Sequence, residues 1–321
     1  MRTHRTTAVL AIAMIYNPVF LAAGEPKRMD DSILRQAFDF AAPRTPEPQW
    51  FDMETVVITY APDGKRVNTD VLRLQLKCTP ARGTGKDADE YTCVRFAVKF
   101  GDAPEVTVPA LANWTYPFKA TATGMDEKGQ VFGIDHGKFE KLLDANGQPL
   151  PVDKAYYVYN AFIDFHGFCN AFAEPTTGGK GIQDLKSIGQ KIVHAAAFTE
   201  PPVNLGSGIA KGSTFKNGEV TLELKGLSIV DGAVCAIVAF DSGQSSFQML
   251  MNPVPNMEVR AVGASHYKGD LHIDLATRWP RKVTMDELVV AESTVPSLSN
   301  KISAVIERNT IIRNVTTTSA K

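Results

Sequence analysis

Apolar and polar residues alternate along two long stretches of this 321-residue chain, residues 50–118 and residues 206–315. Alternation with a period of two is typical of antiparallel strands that bury one face. Turn signals such as Asp63-Gly64 and Asp231-Gly232 separate the runs. The pattern therefore predicts an α+β protein that is mainly antiparallel β, built as a meander or half-barrel sheet.

Between these stretches the spacing of the apolar residues becomes helical. Residues 153–174, placed on a helix, are apolar nearly all round except for a narrow stripe that includes Asn160 and Asp164. A strand is the alternative, because Asn160, Asp164 and His166 also share one side of an extended chain. Residues 182–198 place apolar side chains three or four apart. We therefore expect a helical pair packed on one face of the sheet.

These patterns divide the chain into four segments. We predict a signal peptide at residues 1–24, an N-terminal β-rich region at 25–150, a helical hairpin at 151–200 and a C-terminal antiparallel meander at 201–315. Residues 150–315 are expected to form one packing unit.

The first segment has the composition of an export signal. Arg2 and Arg5 precede an apolar run at residues 8–15, and small residues follow at 22–24. The apolar run is shorter than the roughly 20 residues that a membrane-spanning helix needs. We expect an exported protein, periplasmic or extracellular, that is soluble after cleavage and has no transmembrane span.

Charge argues against one class of partner. The chain has 34 Lys and Arg residues and 35 Asp and Glu residues, for a formal net charge of −1, and the two signs are mixed along its length. Binding to nucleic acid needs a basic stripe that neutralises phosphates. We therefore expect no nucleic-acid partner.

Four cysteines are present: Cys78, Cys93, Cys169 and Cys235. In an oxidising compartment an even number favours disulfides, and Cys78 with Cys93 is the preferred pair because the two flank one polar loop. Cys169 would then pair with Cys235. Cys78 falls on the apolar side of its strand and Cys93 on the polar side of its own, so a β-bulge or an irregular strand end must reconcile them. No close Cys or His pair predicts a metal site, and no cofactor is expected.

The aromatic segment is the candidate ligand site. Its expected ligand-binding residues are Tyr159, Asn160, Phe162, Asp164 and His166, although such a run is also typical of a simple core. Our leading interpretation is a secreted or periplasmic binding protein that holds an apolar small molecule or lipid between a curved sheet and helices. In architecture alone this resembles the periplasmic lipid and lipoprotein carriers, whose functional residues match no residue of this chain.

Two alternatives come from other classes. A serine hydrolase would use Ser245 or Ser246 with His266, but Phe247 occupies the place of the second glycine that a nucleophile elbow requires. The second alternative is an envelope structural protein without a small-molecule site.

Overall fold

A computed structural model describes most of the chain beyond the predicted signal peptide. The signal peptide, residues 1–24, lies outside the described residues, as do several short internal segments. The described residues are 32–82, 84–119, 130–151, 154–176, 179–194, 198–199, 208–254, 256–296 and 301–315.

The described residues form fourteen strands in a single antiparallel sheet, which confirms the mainly antiparallel β prediction. The strands are β1 (Gln49–Tyr60), β2 (Arg66–Thr79), β3 (Glu90–Phe100), β4 (Val106–Thr107), β5 (Trp114–Pro117), β6 (Lys191–His194), β7 (Phe198–Thr199), β8 (Thr214–Lys216), β9 (Val220–Val230), β10 (Ala233–Asp241), β11 (Ser245–Val254), β12 (Met257–Asp274), β13 (Pro280–Thr294) and β14 (Ile302–Val315).

The main path through the sheet runs β4-β3-β2-β1-β14-β13-β12-β10-β9-β6. The first strand, β1, lies between β2 and the last strand, β14. The first and last strands of the chain are therefore paired with each other in the middle of this path. The described residues from Gln36 onward belong to one compact unit.

The sheet divides at β12, which is 18 residues long. Residues 268–274 of β12 pair with β10, whereas residues 257–265 pair with β11. β11 in turn pairs with β8, and β8 pairs with β7. We call residues 257–265, 288–294 and 302–307 of β12, β13 and β14, together with β11, the distal half of the sheet.

One helix of 17 residues packs on the sheet. It is α-helical over Ala155–His166 and continues as a π-helical turn over Gly167–Ala171; both parts together are called α1. Pro175 follows closely and cannot extend a helix, since it lacks the amide donor. Four short 3-10 helices also occur among the described residues, at Ile33–Arg35, Pro109–Leu111, His136–Phe139 and Ile182–Asp184.

The predicted helical pair, and with it the hairpin at 151–200, is wrong. Residues 182–198 contain the 3-10 helix Ile182–Asp184 and the edge strand β6, which pairs with β9. Gly189, at φ +86°, separates them. Of the apolar residues at helical spacing, Ile182 belongs to the first element and Ile192 and Val193 belong to the second, whose backbone is satisfied by pairing with the β9 edge.

The core lies between α1 and one face of the sheet, which we call the inner face. Alternate residues of β1 on this face, including Phe51 and Val57, are 2 % exposed. From the helix, Phe165 packs edge-on against Phe51, with ring centroids 5.1 Å apart. Phe162 stacks on Phe96 at 5.7 Å. Burial of each such side chain contributes about 1.5–3 kcal/mol.

The four cysteines are free, buried thiols, so the predicted disulfides are wrong. The expected bulge is confirmed, since Val94 is the extra residue that turns Cys93 to the buried face. Cys78, however, lies opposite Tyr91, which leaves Cys78 and Cys93 as diagonal neighbours, about 7–8 Å apart. That separation exceeds the usual reach of a disulfide.

The other predicted pair has different surroundings on each side. Arg44 and Glu174 are near the thiol of Cys169 in α1. The thiol of Cys235 in β10 is near Asp274 instead. Burial raises the pKa of Cys235 to about 11, so its thiol is protonated at neutral pH.

In the part of the chain that the structure describes, no helix is long and apolar enough to cross a membrane.

Candidate functional site

Polar side chains interrupt the apolar inner face in one row across five strands. Asp70 of β2, Val57 of β1, Arg308 of β14, Glu287 of β13 and Tyr267 of β12 stand opposite one another in register. Four of these five are polar or charged. We call this set the charged row.

The helix crosses the strands beside this row and is held to it by two ion pairs. Lys154, at the start of α1, contacts Asp70 with 2.7 Å between Nζ and Oδ2. Ten residues later, Asp164 forms an ion pair with Arg308. Farther along, Phe168 stacks on Phe240 of β10 at 5.0 Å. The row therefore fixes where α1 lies on the sheet.

Arg308 is the centre of a nearly buried cluster. Its Nη1 donates to Glu287 Oε2 at 2.5 Å, and its Nη2 donates to Asp164. With its amide oxygen turned toward the guanidinium, Asn160 accepts from both terminal nitrogens at 3.1 Å. The side chains of Arg308, Asp164 and Glu287 are 11 %, 14 % and 8 % exposed.

Burial controls the ionisation of this cluster. Burial raises the pKa of Asp164 to about 6, and the attraction of Arg308 opposes the rise. Burial also acts to lower the pKa of Arg308, but the carboxylates of Asp164 and Glu287 outweigh it and raise that pKa. The guanidinium therefore stays charged between two carboxyl groups.

Two of the expected ligand residues, Tyr159 and Phe162, lie in the core instead of at an opening. Tyr159 is 3 % exposed and Phe162 is fully buried. The ring of Phe162 contacts Trp114 at 5.6 Å and Phe139 at 5.4 Å. Tyr159 packs edge-on against Phe139, and its buried hydroxyl has no hydrogen-bond partner. Aromatic rings occupy this side of the helix.

His166 is also fully buried, and both of its ring nitrogens are hydrogen-bonded. Nε2 lies 2.8 Å from the hydroxyl of Tyr116, and Nδ1 lies 2.9 Å from Oδ1 of Asn170. Burial lowers the pKa of His166 to about 4, so the ring is neutral at pH 7. A neutral ring that donates from Nδ1 and accepts at Nε2 satisfies both contacts.

The network continues from Asn170 to the end of the helix. Asn170 donates to the hydroxyl of Tyr91 at 2.9 Å and to Glu174 at 2.6 Å. Glu174 forms an ion pair with Arg44, which also donates to the carbonyl of Ala173 at 3.2 Å. These contacts join the C-terminal end of α1 to the segment before β1.

The other side of α1 is open. Asn160 and Gly167 are half-buried there, Asp164 is 14 % exposed, and a Cβ added to Gly167 would meet no atom within 4 Å. Beyond the charged row, the inner face of the distal half continues with half-buried apolar residues. We call this partly exposed apolar surface beside α1 the groove, and its floor is formed by Phe247, Met249, Val289, Ala291 and Ile306.

One polar group is buried in the floor of the groove. Ser265 lies between Ser245 and Val289 across the sheet and is 3 % exposed. Its hydroxyl has no hydrogen-bond partner. A buried hydroxyl usually has one, so this group is a candidate for a ligand contact.

The candidate hydrolase residues are only partly brought together. His266 Nε2 lies 2.8 Å from Asp241 Oδ1 in an exposed pair. Ser245 faces the inner side of the sheet, where its hydroxyl accepts from the amide of Gly218 at 3.3 Å. His266 follows Ser265 and so lies on the opposite, outer face, as Ser246 does. The acidic partner of His266 is therefore Asp241.

Sequence reasoning missed Arg308, Glu287 and Tyr267. A signal for two of them does exist in the strand pattern. Glu287 follows Val283 and Met285 on the buried side of β13, and Arg308 shares the buried side of β14 with Ile312. Charged residues on a buried strand face need partners.

Metal-binding geometry is absent from the described ranges, which contain no group of three or more His, Cys, Asp or Glu residues that could hold an ion.

No family model matches this chain, and no curated protein matches it. Among solved structures, one described as "Asymmetric conductivity of engineered proteins" is 8 % identical over 84 % of this chain and 100 % of its own, with a TM-score of 0.21. OmpT, an outer membrane protein of Vibrio cholerae, is 9 % identical over 84 % and 99 %, at 0.18. An anion-selective porin from Comamonas acidovorans is 10 % identical over 84 % and 99 %, at 0.19. Likenesses at these TM-scores carry no argument about this chain.

Proposed function

We propose that this protein binds an amphipathic ligand, with the apolar chain of the ligand in the groove beside α1. The observation that carries this proposal is an apolar inner face that α1 leaves uncovered, next to open space at Gly167. Apolar strand faces are normally covered by another layer. A bound apolar chain would supply the missing layer.

The length of the groove floor and its adaptable methionine side chains suit a flexible apolar chain. From Glu287 to the end of β13 at Thr294 the strand extends for about 24 Å at a rise of roughly 3.4 Å per residue. Met249 and Met251 lie on the inner side of β11, and methionine side chains adapt to ligands of varied shape. A long hydrocarbon chain fits this length.

The polar end of the ligand belongs at the charged row. Asn160, which is half-buried, and Asp164 line the helix side of the groove. Their carboxyl and amide groups, together with the unpartnered hydroxyl of Ser265, offer both acceptors and donors. A headgroup with hydroxyl or amide groups would match these contacts.

This location differs from the one expected from sequence. The space between α1 and strands β1 and β3 is occupied by the rings of Phe162 and Phe165. Of the five expected ligand residues, Asn160 and Asp164 line the groove, whereas Tyr159, Phe162 and His166 face the core. The proposed ligand therefore lies on the other side of the helix.

Two substitutions of neighbouring residues test the proposal. Ala291→Trp places a large ring on the floor of the groove, whereas Val290→Trp places the same ring on the outer face, where Val290 is 52 % exposed. We expect the protein to bind the apolar dye N-phenyl-1-naphthylamine saturably. Ala291→Trp should weaken binding by about tenfold or more, which is roughly 1.4 kcal/mol, and Val290→Trp should leave it unchanged.

Native mass spectrometry of protein purified from its own host is the companion measurement, with a co-purified amphipathic molecule as the expected result. Failure of the unmodified protein to bind the dye saturably, or equal loss in both tryptophan variants, would contradict the proposal. Thermal unfolding of each variant confirms that the protein still folds.

A further inference from the structure

The turn between β12 and β13 holds an arginine in the left-handed region, at the end of the sheet opposite the groove. Arg278 has a φ of +66°, a conformation that favours glycine. The turn itself is fixed by Asp274, whose side chain accepts from the amides of Ala276 at 2.8 Å and Thr277 at 3.2 Å. The guanidinium of Arg278 contributes no bond to this turn, which glycine would form with less strain.

Among the residues that the structure describes, none offers that guanidinium an acceptor. Its Nε and Nη1 atoms are buried without a hydrogen-bond partner. Arg281, three residues later, is paired with Asp274 at 2.9 Å, and Arg44 is paired with Glu174. Buried charged donors without an acceptor are rare and unfavourable. Arg278 as a whole is half-buried, and Nη2 is not among its buried atoms, so this end of the guanidinium is open to a small solute.

A second unpartnered donor lies beside the turn. The amide of Thr45 donates to the carbonyl of Thr277 at 3.1 Å, which holds Thr45 next to Arg278. The carbonyl of Thr45 accepts from Trp279 Nε1 at 3.0 Å. The hydroxyl of Thr45 is buried and has no partner.

We propose that this turn binds an oxyanion, a phosphate or a carboxylate group, through Arg278 and Thr45. The Nη1 and Nη2 groups at the end of the planar guanidinium present paired N–H donors that match two oxygens of such a group, and the Thr45 hydroxyl donates to the same anion. The anion supplies the acceptors that the protein lacks at this position. The site is independent of the groove, since β13 begins at Pro280 beside this turn and reaches the groove only at its other end.

The test uses the full chain and two separate probes, inorganic phosphate and acetate, at constant ionic strength maintained with sodium chloride. Thermal unfolding and isothermal titration calorimetry should show saturable binding of at least one probe. Arg278→Gly should abolish the response without lowering the melting temperature measured in chloride alone, because glycine accepts the backbone conformation of this turn. Thr45→Val, which keeps the shape of the side chain, should weaken binding several-fold.

Arg313→Gln is the matched control, because Arg313 is an exposed arginine of β14. This variant should keep the full response. The probe that binds identifies the anion as a phosphate or a carboxylate. Absence of a saturable response to both probes, or an equal response in Arg278→Gly and the unmodified protein, would overturn the proposal.

Discussion

Single residues decide how the inner face of the sheet is divided. Arg308 and Glu287 stand where the strand pattern calls for apolar side chains, and both are at most about a tenth exposed. Their charges are acceptable there because Arg308 pairs with Glu287 across the strands and with Asp164 from the helix. Removing one partner of a buried ion pair leaves the other charge uncompensated. The resulting loss of folding free energy is far larger than the net stabilisation that the intact pair provides.

Arg308→Met tests this arrangement. The substitution leaves Asp164 and Glu287 as two nearly buried carboxylates without a cation, and we expect a loss of about 3–5 kcal/mol in the free energy of unfolding at pH 7.5. Urea denaturation measures it. Adding Asp164→Asn and Glu287→Gln to the same chain should recover much of the loss, and a single variant as stable as the unmodified protein would contradict the central role of Arg308.

At the scale of elements, the alternating pattern predicted strands well where both neighbours were also regular strands. It failed at residues 182–198, because a strand of four residues at the edge of the sheet carries too little pattern to be distinguished from one helical turn. The contact that decides this segment is the pairing of β6 with β9. Residues close in sequence do not specify that pairing.

Two glycines, one in a strand and one in the helix, differ in the space that a side chain would find. A Cβ at Gly269 of β12 would lie 1.8 Å from the carbonyl oxygen of Thr284, whereas one at Gly167 of α1 would meet nothing within 4 Å. We expect Gly269→Ala to destabilise the protein by about 2 kcal/mol or more, since backbone must move. Gly167→Ala should stabilise it by up to about 1 kcal/mol, because alanine favours helix. Chemical denaturation distinguishes the two, and equal effects would refute the difference in space.

At the scale of the whole molecule, two buried groups with displaced pKa values act on stability in opposite directions. The pKa of His166 falls from 6.5 to about 4 on folding, so its stabilising contribution is complete above pH 6.5 and is lost as the pH falls toward 4. The pKa of Asp164 rises from 3.8 to about 6, so folding becomes less favourable as the pH rises through that range.

Separate substitutions should reveal the two contributions. Relative to the unmodified protein, His166→Gln should become more stable at pH 4 than at pH 6.5, by roughly 3 kcal/mol, since one pKa unit corresponds to about 1.4 kcal/mol. Asp164→Asn should show the reverse trend between pH 4 and pH 6. Denaturation across this pH range measures both, and parallel curves for all three proteins would contradict the assignment.

The sequence by itself determined the class of the fold and part of the site. Period-two alternation specified antiparallel strands with one buried face, because successive strand residues point to opposite sides. The same periodicity predicted a bulge or an irregular strand end near Cys93, of which the structure shows the bulge, and helical spacing placed Asn160 and Asp164 together on one stripe. These are local properties, fixed by residues a few positions apart.

Only the tertiary structure decided which residues meet. Asp164 and Arg308 are 144 positions apart, and the charged row assembles from five strands whose register no local pattern contains. The same register leaves Cys78 and Cys93 as diagonal neighbours with free thiols. Contacts across a sheet depend on strand order and register. The groove and the charged row therefore form only when the strands are paired.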